Sequence, residues 1–380
     1  MSVLSRQIAR TLAVKLKEAR LATGLSTRAV AAMLSSKYAV SHTTLANYES
    51  GKSSPPLDVI AVLASVYERP LNWFIEPGNS LTGIHYRNLP SKVRVQDRHR
   101  FEGAAKKLLE GYTRLERRLR VPLGRHLDVK GFEVKSGESG RQVAERLRAK
   151  LNLRDDQPIQ SVVEILEMFA IRTIELRSEL RIDGLAACLG DEHVVVLNPE
   201  TSNDRCRLNA GHELGHVLFG DCQSISGLSE KEMEQRVFEF GSFLLLPRPQ
   251  LELAFQGRSI LRLLKFKEQF GIAMSAMIYR AEKEGILDKN AAKWLWIQFA
   301  KRGWRTKEPG YVWRDRAIRF ELLLDSAAHG ENRLTWREIE AVTSVPSEEL
   351  KQRLADAIGA EVDDADDTEG GDAPRILSMR

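Results

Sequence analysis

The stretch NAGHELGHVLFG, residues 209–220, carries two of the chain's eight histidines, four positions apart, with a glutamate directly after the first. Residues i and i+4 of a helix share a face, so His212 and His216 point the same way, close enough to hold one tetrahedral ion. Glu213 lies one step round, beside the position that an ion's bound water would take. This is the H-E-x-x-H spacing, in which the carboxylate is a general base. Neutral imidazoles leave the charge of Zn²⁺ uncancelled, so its bound water can fall to a pKa of ~7 and be deprotonated by a neighbouring carboxylate. The plainer reading makes His212 and His216 two core histidines, bonded to carbonyls on a helix that binds nothing.

A catalytic zinc needs a third protein ligand from another element. Residues 229–247, SEKEMEQRVFEFGSFLLLP, form a second helix of suitable length, ended by Pro247. It offers Glu230, Glu232, Glu234 and Glu239. Val237, Phe240, Gly241 and Leu244 make a buried stripe, and Glu234 sits one turn before Val237 on the same side. A carboxylate facing a core needs a partner, and a metal ion is one. Upstream, RQVAERLRAKLNL and QPIQSVVEILEMFA read as helices, and IRTIEL, IDGLAACLG and EHVVVLN as short strands. The β-branched run VVVLN suits a strand buried on both faces. Asn203 or Asp204 is the expected cap of the helix that follows.

Over roughly residues 138–308 the chain resembles the ImmA/IrrE family of zinc-dependent peptidases. The carrying residues are Arg207, HELGH, Glu234, Val237, the Phe-Gly pair at 240 and 241, LLLP, the upstream VVVLN and the downstream KEQFGIAMSAMIYRAEKEGIL. The resemblance implies His212, His216 and Glu234 as metal ligands and Glu213 as the base. Val237 and Phe238 depart from the family's Ala and Asn, which leaves Glu230 and Glu239 as alternatives for the third ligand. Zn²⁺ is the implied cofactor; Mn²⁺ also suits a mixed His/carboxylate set. Arg207 reads as a residue that holds a loop or carboxylate. His193, just before the apolar strand, is a strand-end residue, or one that orients substrate or stabilises the oxyanion.

The first 77 residues read as short helices separated by turns. Ser26 and Ser41 stand as caps, and Gly24 and Gly51 as stops. Leu57, Ile60, Leu63 and Ala64 share one side of a helix opened by proline. Residues 8–75, through LKEARLATGLSTRAVAAML, VSHTTLANYESGKSSPPLDVIAVLASVY and LNWFI, resemble the Cro/phage-repressor (XRE-type) helix-turn-helix. That resemblance makes Ser41–Tyr48 the recognition helix. His42, Thr43, Thr44 and Asn47 would then face base edges, Arg28, Lys37 and Lys52 would hold phosphates, and Leu45 and Tyr48 would be core. The turn SSKYAVS is longer than the family's usual one. Residues 1–130 hold 22 Lys/Arg against 10 Asp/Glu, a surplus of 12 within a whole-chain charge of +5. Such a surplus suits a polyanion partner.

Residues 78–92 read as a linker. In the helix after it, Phe101, Ala105, Leu108, Tyr112, Leu115 and Leu119 alternate steps of four and three. That seam packs on the chain itself or makes a homodimer, which two-fold operators favour. Residues 311–360 are helical. The acidic, apolar-poor stretch EVDDADDTEGGD within 361–380 is expected to be disordered.

The composition, 43% hydrophobic and 29% charged in 380 residues, fits several soluble domains. No signal region or long apolar run is apparent, so a cytoplasmic, non-membrane protein is expected. Cys188, Cys206 and Cys222 have no metal-like spacing and read as free thiols. The expected fold class is multidomain and mainly α. An all-α helix-turn-helix head (1–77) leads through a linker and basic amphipathic helix (78–135) to an α+β zincin-like metallopeptidase domain (136–310), then a helical C-terminal region (311–360) and an acidic tail (361–380). The expected function is a DNA-binding transcriptional regulator with a zinc endopeptidase domain. Its partners would be a double-stranded operator and a helix-turn-helix repressor or other protein substrate, this chain included. The alternative is a metal-binding repressor or antitoxin that senses without proteolysis.

Overall fold

The computed structural model describes residues 3–34, 38, 40–75, 80–90, 92–121, 129–178, 180, 182–220, 229–331 and 333–359. Lys37, Cys222, most of the turn between the second and third helices, and the acidic tail lie outside the described residues.

Four strands make one sheet: β1 (Leu81–Arg87), β2 (Arg172–Glu175), β3 (Gly184–Leu189) and β4 (Glu192–Leu197), in the order β1-β3-β4-β2. The β3–β4 and β1–β3 pairs are antiparallel and β2–β4 is parallel. Val194–Leu197 are apolar throughout because both faces of β4 are covered. Val195 and Leu197 enter one core with Leu214 and Phe240, while Val194 and Val196 enter a second with Leu108 and Phe320.

The first face carries α6 (Gly140–Lys150), α7 (Val162–Met168), α8 (Asn203–Phe219), α9 (Glu230–Leu245) and the helices from α10 (Arg248–Phe255) through α11 (Ile260–Phe270) and α12 (Met274–Lys283) to α13 (Lys289–Lys301). The second face carries α5 (Val95–Leu119) with α14 (Arg319–His329), α15 (Trp336–Thr343) and α16 (Ser347–Ile358). The sheet is therefore the middle of three layers, and the segment before the metal motif helps to cover it.

Two expectations are corrected here. Residues 78–92 hold β1, which pairs with β3 over Leu81–Leu189 to Arg87–Gly184, with a register shift between Thr82 and His85. That shift lets Leu81, Ile84 and Tyr86 all reach the second core despite the period-two alternation of a strand. The α5 seam is likewise taken by its own chain. Phe101, Ala105, Leu108, Tyr112 and Leu115 are all buried, Tyr112 stacks on Phe320 at 5.3 Å, and Gly111 lies against Thr343 and Val345. These residues are covered by their own chain, which leaves them little apolar surface for a homodimer.

The head consists of α1 (Val3–Thr23), α2 (Thr27–Leu34), α3 (His42–Glu49) and α4 (Leu57–Val66), closed by a 3-10 turn at Leu71–Phe74. Its core takes Leu12, Leu16, Val30, Leu45, Tyr48, Ile60, Leu63 and Trp73. Leu57, expected on the apolar side of α4, is 70% exposed because it opens the helix and projects past the core. α1 packs along α5 so closely that a Cβ on Gly103 would stand 2.3 Å from that of Ala22. Trp73 Nε1 donates to Glu110 Oε2 on α5 at 3.2 Å. No described helix is long and apolar enough to cross a membrane.

Candidate metal centre

α8 runs antiparallel to α9 at very close range, and glycines set that distance. A Cβ on Gly241 would stand 2.9 Å from the His212 nitrogen, and one on Gly215 would stand 2.9 Å from Val237 Cβ. The small residue in the middle of HELGH is thus the residue that lets α9 approach. α8 starts at Asn203 with Ser202 as its cap, so neither expected capping residue has that role. Asp204 instead takes a buried ion pair from Lys267 at 2.7 Å.

Across this contact the structure brings His212, His216 and Glu234 together. The two Nε2 atoms are 2.9 Å apart; His212 Nε2 lies 3.4 Å from Glu234 Oε2, and His216 Nε2 lies 3.2 Å from Oε1. Ligands about 2.1 Å from a tetrahedral ion are about 3.4 Å from one another, so the donor set fits Zn²⁺. Core histidines bonded to carbonyls would not turn both Nε2 atoms on each other and on one carboxylate. The two rings are 5% and 7% exposed, whereas the Glu234 side chain is 46% exposed. Glu234 therefore reaches the two rings from the surface rather than facing the core as the stripe implied. Its carboxyl is held below the usual range, first by the hydrogen bond from His216 and then, against desolvation, by the charges of His216, Arg87 and His85. Of the alternatives, Glu239 accepts from Gly140 N at 3.1 Å at the start of α6, and Glu230 is exposed in the first turn of α9.

Glu213 lies beside the group, its side chain 3% exposed. Oε1 accepts from Arg87 Nε at 2.7 Å, and Oε2 is buried without a hydrogen-bond partner among the described residues. An orphaned buried carboxylate oxygen next to two imidazoles fits a site built around a metal and its water. Arg87 Nη1 also comes within 3.8 Å of Glu234 Oε2, and His85 stacks on His216 at 5.6 Å.

His85 and Arg87 are the residues sequence reasoning missed. The signal was the alternation in LTGIHYR, with Ile84 and Tyr86 apolar and His85 and Arg87 polar; Gly78, Asn79, Ser80 and Pro90 around it argued for a linker instead. His193, the sequence candidate for substrate contact, has its Nδ1 3.6 Å from Cys188 Sγ. Arg207 pairs with Asp315, donates to Ile159 O at 2.6 Å and to Gln160 O at 3.2 Å, and stacks on Trp313. It holds the segment before α7 and the chain before α14 against α8. Burial pushes the Cys206 thiol up to about 12, away from the thiolate form that reactivity needs.

In the head, Ser41 Oγ accepts from Thr44 N at 3.1 Å and caps α3. His42 and Thr43 are exposed, Thr44 and Asn47 partly so, and Leu45 and Tyr48 are buried. Thr44 Oγ1 lies 2.9 Å from Ser41 Oγ. Arg28 and Lys52 are exposed. Arg20 grips both oxygens of Glu49 at 2.6 and 2.9 Å and ties α3 to α1.

Comparison with protein families matches residues 168–282 to the IrrE N-terminal-like domain and residues 16–74 to the helix-turn-helix. The chain joins a helix-turn-helix head to an IrrE-like body. The matched IrrE-like segment holds β2, β3, β4, α8 and α9, and with them the whole His212–His216–Glu234 group. β1 and α5 lie between the two matched segments. The head makes the protein a DNA-binding regulator, and the body is a domain of the metallopeptidase type. Comparison with curated proteins found no match.

Proposed function

We propose that the protein is a transcriptional regulator whose IrrE-like body hydrolyses a peptide bond in a repressor-type protein, either a partner or this chain. The observation that carries the reading is the convergence of His212, His216 and Glu234 beside a Glu213 whose Oε2 has no hydrogen-bond partner among the described residues. His212, His216 and Glu234 hold the metal. Zinc, when bound, polarises the scissile carbonyl and lowers the pKa of its water. Glu213 accepts a proton from water at Oε2 as the water oxygen bonds to the carbonyl carbon. It then returns that proton to the leaving nitrogen as the C–N bond breaks. Arg87 keeps Oε1 occupied, so the same oxygen receives and gives the proton. The proposed operator binding suits a cytoplasmic chain.

The test pairs metal analysis with incubation of the purified full chain and the protein encoded beside it. About one zinc per chain is expected, together with cleavage that a chelator or Glu213→Gln abolishes. Zinc without cleavage of the neighbour or of the chain itself would favour a sensor that does not cut; cleavage surviving both controls would remove Glu213 from the mechanism.

On the DNA side, His42, Thr43, Thr44 and Asn47 read bases while Arg28, Lys37 and Lys52 hold phosphates. Replacing Arg28 and Lys52 by alanine is expected to weaken binding to any duplex. Each lost phosphate contact lowers the slope of log affinity against log salt by about 0.9. Asn47→Ala is expected to leave that slope unchanged while lowering operator preference by about 1–3 kcal/mol. A slope change with Asn47→Ala, or none with the double variant, would reverse the assignment.

A further inference from the structure

We propose that Arg87, outside both matched segments, is a catalytic residue of this centre: it donates to the oxygen of the scissile carbonyl as negative charge gathers there. The proposal rests on the hydrolase reading above.

Its ground is an ion pair left half-made. An arginine beside a carboxylate ordinarily closes two parallel bonds, which is its strongest arrangement. Here Nε reaches Glu213 Oε1 at 2.7 Å, yet Nη2 and Oε2 are both buried and both without a hydrogen-bond partner among the described residues. A buried donor and a buried acceptor left unpaired, on two side chains already joined through Nε and Oε1, cost stability unless each awaits something else. Oε2 awaits the water. Nη2 is a guanidinium N–H on the side chain that grips the base, and the carbonyl oxygen under attack is the anionic atom the reaction brings there. Nη1 stands 3.8 Å from Glu234 Oε2, so the guanidinium reaches from the base to the metal group.

The fold makes this arm stiff. The register shift in β1 turns Leu81, Ile84 and Tyr86 into the second core. Tyr86 Oη then donates to Glu102 Oε1 on α5 at 2.5 Å. The alternate residues, His85 and Arg87, are left on the metal side, with the Arg87 side chain 23% exposed. Charge fixed in advance and partly withdrawn from water is what stabilises developing charge without reorganisation.

The test uses the zinc-loaded full chain and a phosphinic pseudodipeptide, whose tetrahedral, anionic phosphinate stands where the attacked carbonyl would be. Calorimetry compares wild type with Arg87→Gln and Arg87→Lys, and zinc affinity is measured for all three. Loss of one such donor costs roughly 10²–10³-fold in transition-state stabilisation. Phosphinate affinity is therefore expected to fall at least about 100-fold in Arg87→Gln, with little recovery in Arg87→Lys and zinc affinity within about 3-fold of wild type. Equal phosphinate binding by wild type and Arg87→Gln overturns the proposal and leaves the hydrolase reading intact. A collapse of zinc affinity in Arg87→Gln also overturns it, since Arg87 would then be a prop for Glu234. Wild type that holds zinc but ignores 1 mM phosphinate overturns it as well, whereas wild type that holds no zinc sinks the hydrolase reading itself.

Discussion

Changing Leu108→Asp together with Leu115→Asp is expected to unfold the second core of the body. Heptad spacing alone would have had the pair turn a dimer into a monomer. Leu108 is 2% exposed and Leu115 is 0%, and both lie among Phe320, Leu324, Ile339 and Val194. Removing a buried leucine costs about 2–5 kcal/mol through lost transfer energy and the cavity left behind. A carboxylate brought into that space has to leave water, which adds to the cost or forces its own protonation. Two such changes reach the ~5–15 kcal/mol that holds an ordinary domain together. The measurements are far-UV circular dichroism, thermal melting and limited proteolysis. Loss of the body's transition with rapid cutting around α5 is the expected outcome. A folded double variant with half the light-scattering mass of wild type would show that the seam is an interface between copies.

The helices of the head, the three strands of the IrrE-like segment and the ligand-bearing helices could be read from the sequence because their signals are local. A Ser cap, a Gly stop, a β-branched run and an i, i+4 histidine pair each act within a turn or two of chain. The stripe of Val237 and Gly241 put Glu234 on the α8 side of its helix, but not that its side chain is nearly half exposed. What could not be read was the partner of each apolar face. A four-three repeat such as Phe101–Leu119 records that one face is buried, not whether the cover is a second chain or α14–α16 some 200 residues on. β1 was hidden differently. Its alternation is broken at Gly83, where the register shifts, and turn-forming residues flank it. With β1 hidden, so were His85 and Arg87, since only the sheet carries them to α8. Arg207 shows the same limit in milder form. The sequence placed it before the motif, but Asp315 and the carbonyls of Ile159 and Gln160 reach it only through the tertiary fold.

Replacing His216 by alanine is expected to separate the metal centre from the fold. Two donors would remain, His212 and a Glu234 whose side chain is nearly half exposed. Disturbing a partner outside the ligand set costs a metal site about 10–100-fold in affinity, so loss of one of three ligands should exceed about 100-fold. Purified His216→Ala should carry well under one zinc per chain and show no hydrolysis. Its thermal transition should lose the shift that zinc gives wild type, because a ligand stabilises only the state that binds it. The apo melting temperature should move little: the ring abuts His85 and Glu234, and the α8–α9 contact rests on Gly211, Gly215 and Gly241. Glu213→Gln makes the counterpart. It keeps all three ligands, so zinc content should stay near wild type while hydrolysis disappears. The contrast between the two variants is decisive, because a fold-supporting histidine would lower the apo stability of His216→Ala and leave zinc content alone. Full zinc occupancy in His216→Ala would mean that the ion, where present, is held elsewhere, and Glu213 would lose its claim to act as a base.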